Sequence, residues 1–394
     1  MKEWARVPAF RSLDALRGIA ALWVVLDHSC VPFLATADSR YYRWPIYAVS
    51  VRGQLGVVLF FIISGYCIAS ASYSGLISGK SVGRWSFERI RRIYPPYLGA
   101  CVVAVAVTRL LVIAQKIHVV PVIHHQQLFP SDVRFWLANV FLVQTEFHQP
   151  LLNITFWSLC YEVAFYLIVA IFLAVAQRYR SPRILCSGIG VATLFSLLWL
   201  LISPGNCPFP VDRWYQFGIG GLLFFALEVK SSQFLGFSER IHKIALSFAL
   251  ISIPVTILFA IYRRTGGEDI GHPSSRAQAA FCLFCLAFLP LLHRFDDHLG
   301  KSSMLRPLFW LGSFSYSLYL IHPSILGFID FPMRHFGATG DLYLFTFIAE
   351  VTIAILAGRI YFWIVERHFI SSRQRNRFIS ERVIESAAFE DKLV

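Results

Sequence analysis

A few ionisable residues interrupt the apolar stretches of this sequence, and their types suit proton transfer. Asp27 and His28 lie in the first stretch, Glu162 lies in a later one, and His322 lies in one near the end. Burying such a group is costly unless it is paired or hydrated, so its presence points to a function. Histidine titrates nearest neutral pH, which makes a histidine in such a stretch a candidate general base.

Three of these residues are expected at one depth. His28 lies six residues before the end of its stretch, Glu162 six residues after the start of its own, and His322 seven residues before the end of a third. A helical rise of ~1.5 Å per residue puts each of them ~10 Å from the same membrane face. We therefore expect a shared cavity, in which Glu162 orients the imidazole of His28. Asp27 is the weaker candidate for that task, because successive residues point ~100° apart around a helix.

Arginines near the opposite face suit the binding of an anion. Arg17 precedes His28 by eleven residues and Asp14 precedes Arg17 by three, so the three share one helix face and Asp14 can pair with Arg17. Arg89 and Arg92 belong to a loop rich in arginine, which we expect to end where Pro95 and Pro96 form the first turn of a helix. Guanidinium groups match phosphates, although ordinary positive-inside anchoring explains the same loop. A thioester donor with a phosphorylated head fits the ~16 Å between Arg17 and His28.

The elements that position these residues are predicted to be membrane helices. The chain is 56% hydrophobic and only 15% charged, and its apolar runs are long enough to cross ~30 Å of hydrocarbon. Lipid forces each span to satisfy its own backbone groups, which favours helices over strands. Ten such runs are predicted: 18–34, 54–73, 95–114, 156–177, 184–203, 214–229, 244–262, 277–292, 308–329 and 343–365.

The basic residues set the orientation of this all-α, polytopic chain. They concentrate in alternate connecting segments, which by the positive-inside rule places both termini in the cytoplasm. The net charge of +13 is then explained by topology and by contact with anionic membrane lipids, and nucleic-acid binding is not expected. We expect one membrane domain over 1–370, a short cytoplasmic tail over 371–394, and an external loop over 115–155 with an amphipathic helix near 135–142.

Other function classes fit the sequence less well. A transporter also places charges in kinked membrane helices, but no half-chain repeat is visible. The eight cysteines form no disulfide or redox framework, and those in apolar runs, Cys67 among them, are expected to act as small hydrophobes. The histidines of the external loop show no repeated ligand spacing, so we expect no metal site.

Five segments together resemble a known family. The first begins Leu-Asp-Ala-Leu-Arg-Gly at Leu13 and runs on to Asp27-His28; the others are 56–66, 89–97, 156–166 and 312–323. In this order they resemble the acyltransferase-3 family of integral-membrane O-acyltransferases of the bacterial envelope. The last helix departs from the family pattern, because it ends Val-Glu-Arg-His without the usual proline.

The resemblance implies an activity and the roles of several residues. It implies ten helices in the bacterial inner membrane, and transfer of an acyl group, most commonly acetyl, from cytoplasmic acetyl-CoA or a related acyl-CoA to a hydroxyl of a carbohydrate or glycolipid. The donor is a co-substrate, and no permanently bound cofactor is expected. His28 is implied as the essential residue, either as a base or as a covalent acyl carrier, and Arg17, Arg89 and Arg92 as donor ligands.

Further residues are candidates for the cavity wall or for contact with the acceptor. They are His322, Tyr319, Ser64 and Trp157. His322 precedes a proline that leaves the carbonyl of Tyr319 without its helical donor, and a tryptophan such as Trp157 suits either a sugar ring or the membrane interface. The hydrolase-like domain of some family members is not seen in the sequence, so we expect acyl transfer to finish within the membrane unit.

Overall fold

A computed structural model describes most of the chain and shows only helices as regular structure there. The described residues are 10–35, 49–117, 129–130, 132–203, 206–229, 275–335 and 341–370. The predicted span over 244–262 and the predicted tail over 371–394 lie outside these ranges. Each of the other nine predicted apolar runs coincides with helix, although one of them is divided.

Twelve α-helices occur within the described ranges. In chain order they are α1 (Ser12–Ala35), α2 (Gln54–Ile77), α3 (Val82–Lys116), α4 (Val133–Val140), α5 (Trp157–Arg178), α6 (Pro182–Ile202), α7 (Val211–Glu228), α8 (Ser275–Arg294), α9 (Asp296–Leu299), α10 (Arg306–Ser313), α11 (Ser315–His335) and α12 (Asp341–Ile364). Short 3-10 turns precede α5 and α10 and follow α12.

Six of the described helical segments are long and apolar enough to cross a membrane. They are Gln54–Ile77, Val82–Lys116, Ile154–Arg178, Pro182–Ile202, Ala277–Arg294 and Phe345–His368. The chain is therefore an all-helical protein with several membrane-spanning candidates. A total of ten spans and the cytoplasmic position of both termini stay predictions.

The helix α3 begins earlier than the sequence indicated. Ser81 is its N-cap, with the side chain accepting a hydrogen bond from the backbone N–H of Arg84, so the arginine-rich segment is helical and is not a loop. Pro95 and Pro96 lie inside this 35-residue helix, and the expectation that they form its first turn is wrong. The regular 3.6-residue pattern is weak in this charged first half, which is why the apolar run alone misplaced the start.

Tyrosines from the end of the chain donate to backbone carbonyls beside these prolines. The hydroxyl of Tyr316 donates to the carbonyl of Ile93 at 3.0 Å, and that of Tyr361 donates to the carbonyl of Pro96 at 2.5 Å. The two prolines remove the helical donors of carbonyls one turn earlier, at residues 91 and 92, so the tyrosine bonds go to other carbonyls and do not replace the lost ones. These bonds tie α3 to α11 and α12.

The predicted run 308–329 is two helices. It divides at Phe314, whose backbone leaves the helical region (φ −131, ψ 22) and whose ring is fully buried. α10 packs closely on α1, since a Cβ added to Gly312 would overlap the carbonyl oxygen of Asp14. The division lets α10 contact α1 at its start while α11 continues along α1 at a different angle.

The centre of the molecule is the contact between α2 and α7. A Cβ on Gly65 would overlap the carbonyl oxygen of Phe217, and one on Gly220 would overlap that of Ile62, so glycine permits the two backbones to touch. Phe217 stacks on Phe61 at 4.3 Å between ring centroids. This close contact fixes α2, which carries Ser64 and Cys67, against the rest of the core.

The amphipathic helix expected near 135–142 is present as α4. Asp132 caps it, and its buried face includes Phe135 and Asn139. The Asn139 side chain donates to the carbonyls of Phe135 and Pro150, while the backbone carbonyl of Asn139 accepts a bond from the hydroxyl of Tyr97. α4 is thus held as a cap on α3 and on the chain that leads into α5.

Candidate active site

The structure brings His28 and His322 into direct contact. α1 carries His28 and α11 carries His322, and the two helices pack side by side. The Nδ1 atom of His28 lies 2.9 Å from Nε2 of His322, and the rings stack with centroids 5.0 Å apart. His322 is completely buried. The depth count from the sequence thus placed two of its three residues in one site.

The hydrogen bonds around His322 assign the protons of the pair. Nδ1 of His322 lies 3.0 Å from the carbonyl oxygen of Leu318, and since a carbonyl only accepts, this nitrogen carries the hydrogen. In a neutral His322 the lone pair is then on Nε2, which accepts from the Nδ1–H of His28. A neutral His28 held this way has its own lone pair on Nε2. That is the nitrogen with which His28 can remove a proton.

Asp27 lies on a different face of α1 from His28. The Asp27 carboxyl is buried beside the backbone of Gly53, and Cys30 interacts electrostatically with both Asp27 and Glu350 of α12. This agrees with the angular separation expected for adjacent helical residues. Asp27 therefore contributes to the packing of α1 against the turn before α2, and its role as a catalytic group stays a prediction.

Glu162 is held by two hydroxyl groups. Its Oε1 accepts a hydrogen bond from Ser64 at 3.0 Å and another from Tyr166 at 2.6 Å. Arg17 interacts electrostatically with Glu162, so this carboxyl faces the arginines. The residue that is hydrogen-bonded to His28, and so orients its imidazole, is His322. The sequence had favoured Glu162 for this role.

Tyr319 lies close to both the histidine pair and Glu162. Its hydroxyl lies 2.7 Å from Oγ of Ser158 and 3.2 Å from the carbonyl oxygen of Thr155, to which it donates. Its ring lies 6.0 Å from that of His322, centroid to centroid. Tyr319 also interacts electrostatically with Glu162, so it is a neighbour of both His322 and the carboxyl.

The arginines predicted to bind an anion converge on α2 and α5. Arg17 pairs with Asp14 at 3.0 Å, as the three-residue spacing predicted, and its other terminal nitrogen lies 3.1 Å from Sγ of Cys67. Arg89 is partly buried in α3 and interacts electrostatically with Arg92, Tyr166 and Cys67. Two helices, α1 and α3, thus direct guanidinium groups to one place, which is suitable for a polyanionic ligand.

Sequence reasoning missed two members of this group. Cys67 was expected to be a small hydrophobe, and its sulfur instead accepts from Arg17. No pattern in the sequence distinguishes it from the other cysteines in apolar runs. Tyr166 follows Glu162 by four residues on one helix, a spacing that brings side chains together and that was a usable signal.

Each of the five resembling segments supplies a residue to this arrangement. Residues 10–365 match the family model described as an acyltransferase domain. The chain belongs to this acyltransferase-3 family. Together with its apolar helices, this makes it a multi-pass membrane protein.

Named relatives of this acyltransferase-3 chain are O-acetyltransferases. O-acetyltransferase OatA of Staphylococcus aureus is 24% identical over 375 residues, which are 90% of this chain and 56% of the relative. Peptidoglycan O-acetyltransferase OatA of Listeria monocytogenes is 24% identical over 339 residues, covering 80% of this chain and 49% of the relative. The putative peptidoglycan O-acetyltransferase YrhL of Bacillus subtilis is 25% identical over 390 residues, covering 94% and 56%.

The match to these proteins is partial in length. This chain spans about half the length of each of the three relatives. No solved structure matches the chain. The family and its helical membrane unit are therefore shared, and the acyl donor and acceptor of this member have to be argued from its own residues.

Proposed function

We propose that this chain transfers an acyl group, in the first place acetyl, from cytoplasmic acyl-CoA to a hydroxyl of a cell-envelope carbohydrate in the bacterial inner membrane. The observation that carries this proposal is the hydrogen-bonded series from the Leu318 carbonyl through His322 to His28. It leaves the lone pair of His28 on Nε2 and holds the ring in one orientation. Three relatives with O-acetyltransferase names support the reaction class.

His28 is the general base of the proposed reaction. Its Nε2 takes the proton from the acceptor hydroxyl while that oxygen attacks the thioester carbonyl, forming the C–O bond. The C–S bond then breaks, and the leaving thiolate takes the proton back from His28, so that an ester and a free thiol result. His322 is neutral and accepts from Nδ1, which stabilises the transient imidazolium of His28.

The covalent alternative uses the same nitrogen. Nε2 of His28 attacks the thioester itself, and the C–S bond breaks to release the thiolate. The acceptor hydroxyl then attacks the acyl-imidazole, the C–N bond breaks to restore His28, and the hydroxyl proton passes to the thiolate. The hydrogen bond at Nδ1 orients the ring equally well for this course. Rapid quenching with a radiolabelled acetyl donor in the absence of acceptor separates the two, because only the covalent course labels His28.

Donor binding is assigned to the arginines. Arg17, Arg89 and Arg92 bind the phosphates of the donor, and the pantetheine arm extends from them towards His28. Arg17 and His28 lie eleven residues apart on α1, which corresponds to ~16 Å along the helix. Ser64 and Glu162 lie on neighbouring helices between the arginines and Tyr319 and would line this path.

Acyl transfer with purified protein tests the proposal. Protein in lipid vesicles is incubated with labelled acetyl-CoA and a glycan acceptor, and the expected product carries a base-labile O-acetyl group. Replacing His28 with Ala should lower the rate by about 100-fold or more, the usual contribution of a general base. His298→Ala is the matched control, since His298 is exposed at the surface. Normal product formation by the His28 variant would refute the assignment, whereas solute movement without ester formation would indicate a transporter.

A further inference from the structure

A second polar group lies where α5, α7 and α8 begin, apart from the histidines and the donor arginines. We call it the Arg213 cluster; its members are Trp157, Tyr161, Asp212, Arg213, Gln216 and Gln278. The guanidinium of Arg213 lies 4.7 Å from the Trp157 ring centroid and 5.6 Å from that of Tyr161. Its NH1 donates to Oε1 of Gln278 at 3.3 Å. The reaction described above uses none of these polar groups.

The cluster is electrically balanced and partly open. Arg213 Nε lies 3.6 Å from Asp212 Oδ2, the side chains of both residues being between a quarter and a third exposed. Tyr161 donates its hydroxyl hydrogen to the same oxygen at 2.9 Å. One positive and one negative charge thus face each other, so the cluster does not select an ion by net charge.

Several polar atoms of the cluster are buried without a hydrogen-bond partner in the described part of the chain. They are Asp212 Oδ1, Arg213 Nε and Gln216 Oε1. Gln216 is completely buried and uses its amide N–H groups for Tyr215 and Gln278, which leaves its carbonyl oxygen unsatisfied. Each such atom destabilises the fold unless a ligand or water satisfies it. One donor and two acceptors within one cluster match hydroxyl groups, which both donate and accept.

The cluster adjoins the histidine pair through Tyr319. Ser158, the neighbour of Trp157, bonds to the Tyr319 hydroxyl, and the Tyr319 ring faces His322. Arg213 also interacts electrostatically with Tyr319. A ligand held at the start of α5 and α7 therefore lies beside the proposed reaction centre, on the side away from the donor arginines.

We propose that the Arg213 cluster binds a neutral pyranose ring of the acceptor glycan and presents its hydroxyl to His28. The partly exposed rings of Trp157 and Phe209 offer apolar surface to the C–H face of the sugar, while Arg213, Asp212 and Gln216 bind its hydroxyls. This inference rests on the proposed function, because it names the acceptor site of that reaction. Arg213 and Asp212 are binding residues here and take no part in the chemistry.

Two substitutions test the cluster kinetically. With chitotetraose, a neutral N-acetylhexosamine tetrasaccharide, as acceptor, Arg213→Gln and Asp212→Asn should each raise the acceptor KM about tenfold, as expected for one lost ligand contact of about 1.4 kcal/mol. The donor KM should not change. Arg109→Gln is the control, since Arg109 is exposed on α3. An unchanged acceptor KM, or a fall of kcat alone, overturns the proposal while acyl transfer by the unaltered protein stands.

A binding measurement without donor separates this inference from the proposed reaction. Calorimetric titration of the full chain with chitotetraose should show binding that Arg213→Gln weakens about tenfold at an unchanged unfolding temperature. If the unaltered protein binds the sugar but forms no ester, the proposed acyl transfer is refuted and the proposed sugar site is retained. If the unaltered protein does not bind the sugar, the proposal that the Arg213 cluster is a sugar site is wrong. A lower unfolding temperature with unchanged affinity shows a structural ion pair, and an effect confined to a carboxylated saccharide shows an anion site instead of a neutral one.

Discussion

At the scale of single residues, the state of His28 depends on a neighbour that need not touch the substrate. The Leu318 carbonyl fixes the hydrogen of His322 on Nδ1, so Nε2 of His322 is always available to His28 while His322 is neutral. His322 is thus a positioning residue for a base that lies one ring further on.

Replacing His322 separates positioning from packing. His322→Ala should lower kcat about 100-fold and leave the donor KM unchanged, because the Nδ1–H of His28 loses its acceptor and the ring is free to turn. His322→Gln should recover about tenfold of this loss, since an amide oxygen can accept the same hydrogen. The measurement is kcat against pH for all three proteins. Equal losses in both variants would show that only the volume of the imidazole matters.

A second prediction at the residue scale concerns the arginines and the KM of the acyl donor. Arg89→Ala and Arg17→Ala should each raise the donor KM about tenfold or more, because a charge-assisted bond to phosphate is worth about 1.5–3 kcal/mol. The acceptor KM should stay as it is. Initial rates over a range of acetyl-CoA concentrations measure this, with Arg306→Ala, exposed at the start of α10, as control. A donor KM that is insensitive to both changes would exclude these arginines from donor binding.

At the scale of helices, the site depends on how closely α2 approaches α7. Gly65→Ala introduces a Cβ where the Phe217 carbonyl lies, which should cost about 1–3 kcal/mol and lower the unfolding temperature in detergent. Gly327→Ala is the matched control, because it also lies within a helix but its Cβ would contact nothing within 4 Å. That change should be neutral or stabilising, since alanine favours helix by about 1 kcal/mol. Equal effects of the two changes would show that backbone contact at Gly65 does not hold the helices.

Most helices could be predicted from the sequence, whereas the points at which they begin or divide could not. Nine of the ten apolar runs are helical because the length of a run is set by the bilayer and is independent of the neighbours. The start of α3 was misplaced because the apolar run leaves out its charged first half, and the division at Phe314 was missed because it depends on the burial of that ring in the fold. The hydrophobicity pattern along the chain does not reveal which rings the fold buries at such points.

The site was predictable in part for the same reason. The common depth of His28 and His322 follows from the helical rise alone, and their contact bears this out. Which residue orients His28 depends on the rotation of α5 and α11 about their axes, which the sequence does not reveal. The sequence therefore favoured Glu162, whereas in the structure His322 contacts His28. The Arg213 cluster joins three helix starts that lie far apart in sequence, and only the fold brings them together.

At the scale of the whole molecule, the two substrates should approach from opposite faces. The arginines lie near the cytoplasmic face predicted from the basic residues, and the Arg213 cluster lies at the starts of α5, α7 and α8, which the same topology places outside. In sealed vesicles with the cytoplasmic face outwards, external acetyl-CoA should acylate chitotetraose trapped inside. Vesicles of the reverse orientation should form product only with acetyl-CoA inside and saccharide outside. Detergent should abolish the difference, and product formed with both substrates on one side of intact vesicles would contradict this arrangement.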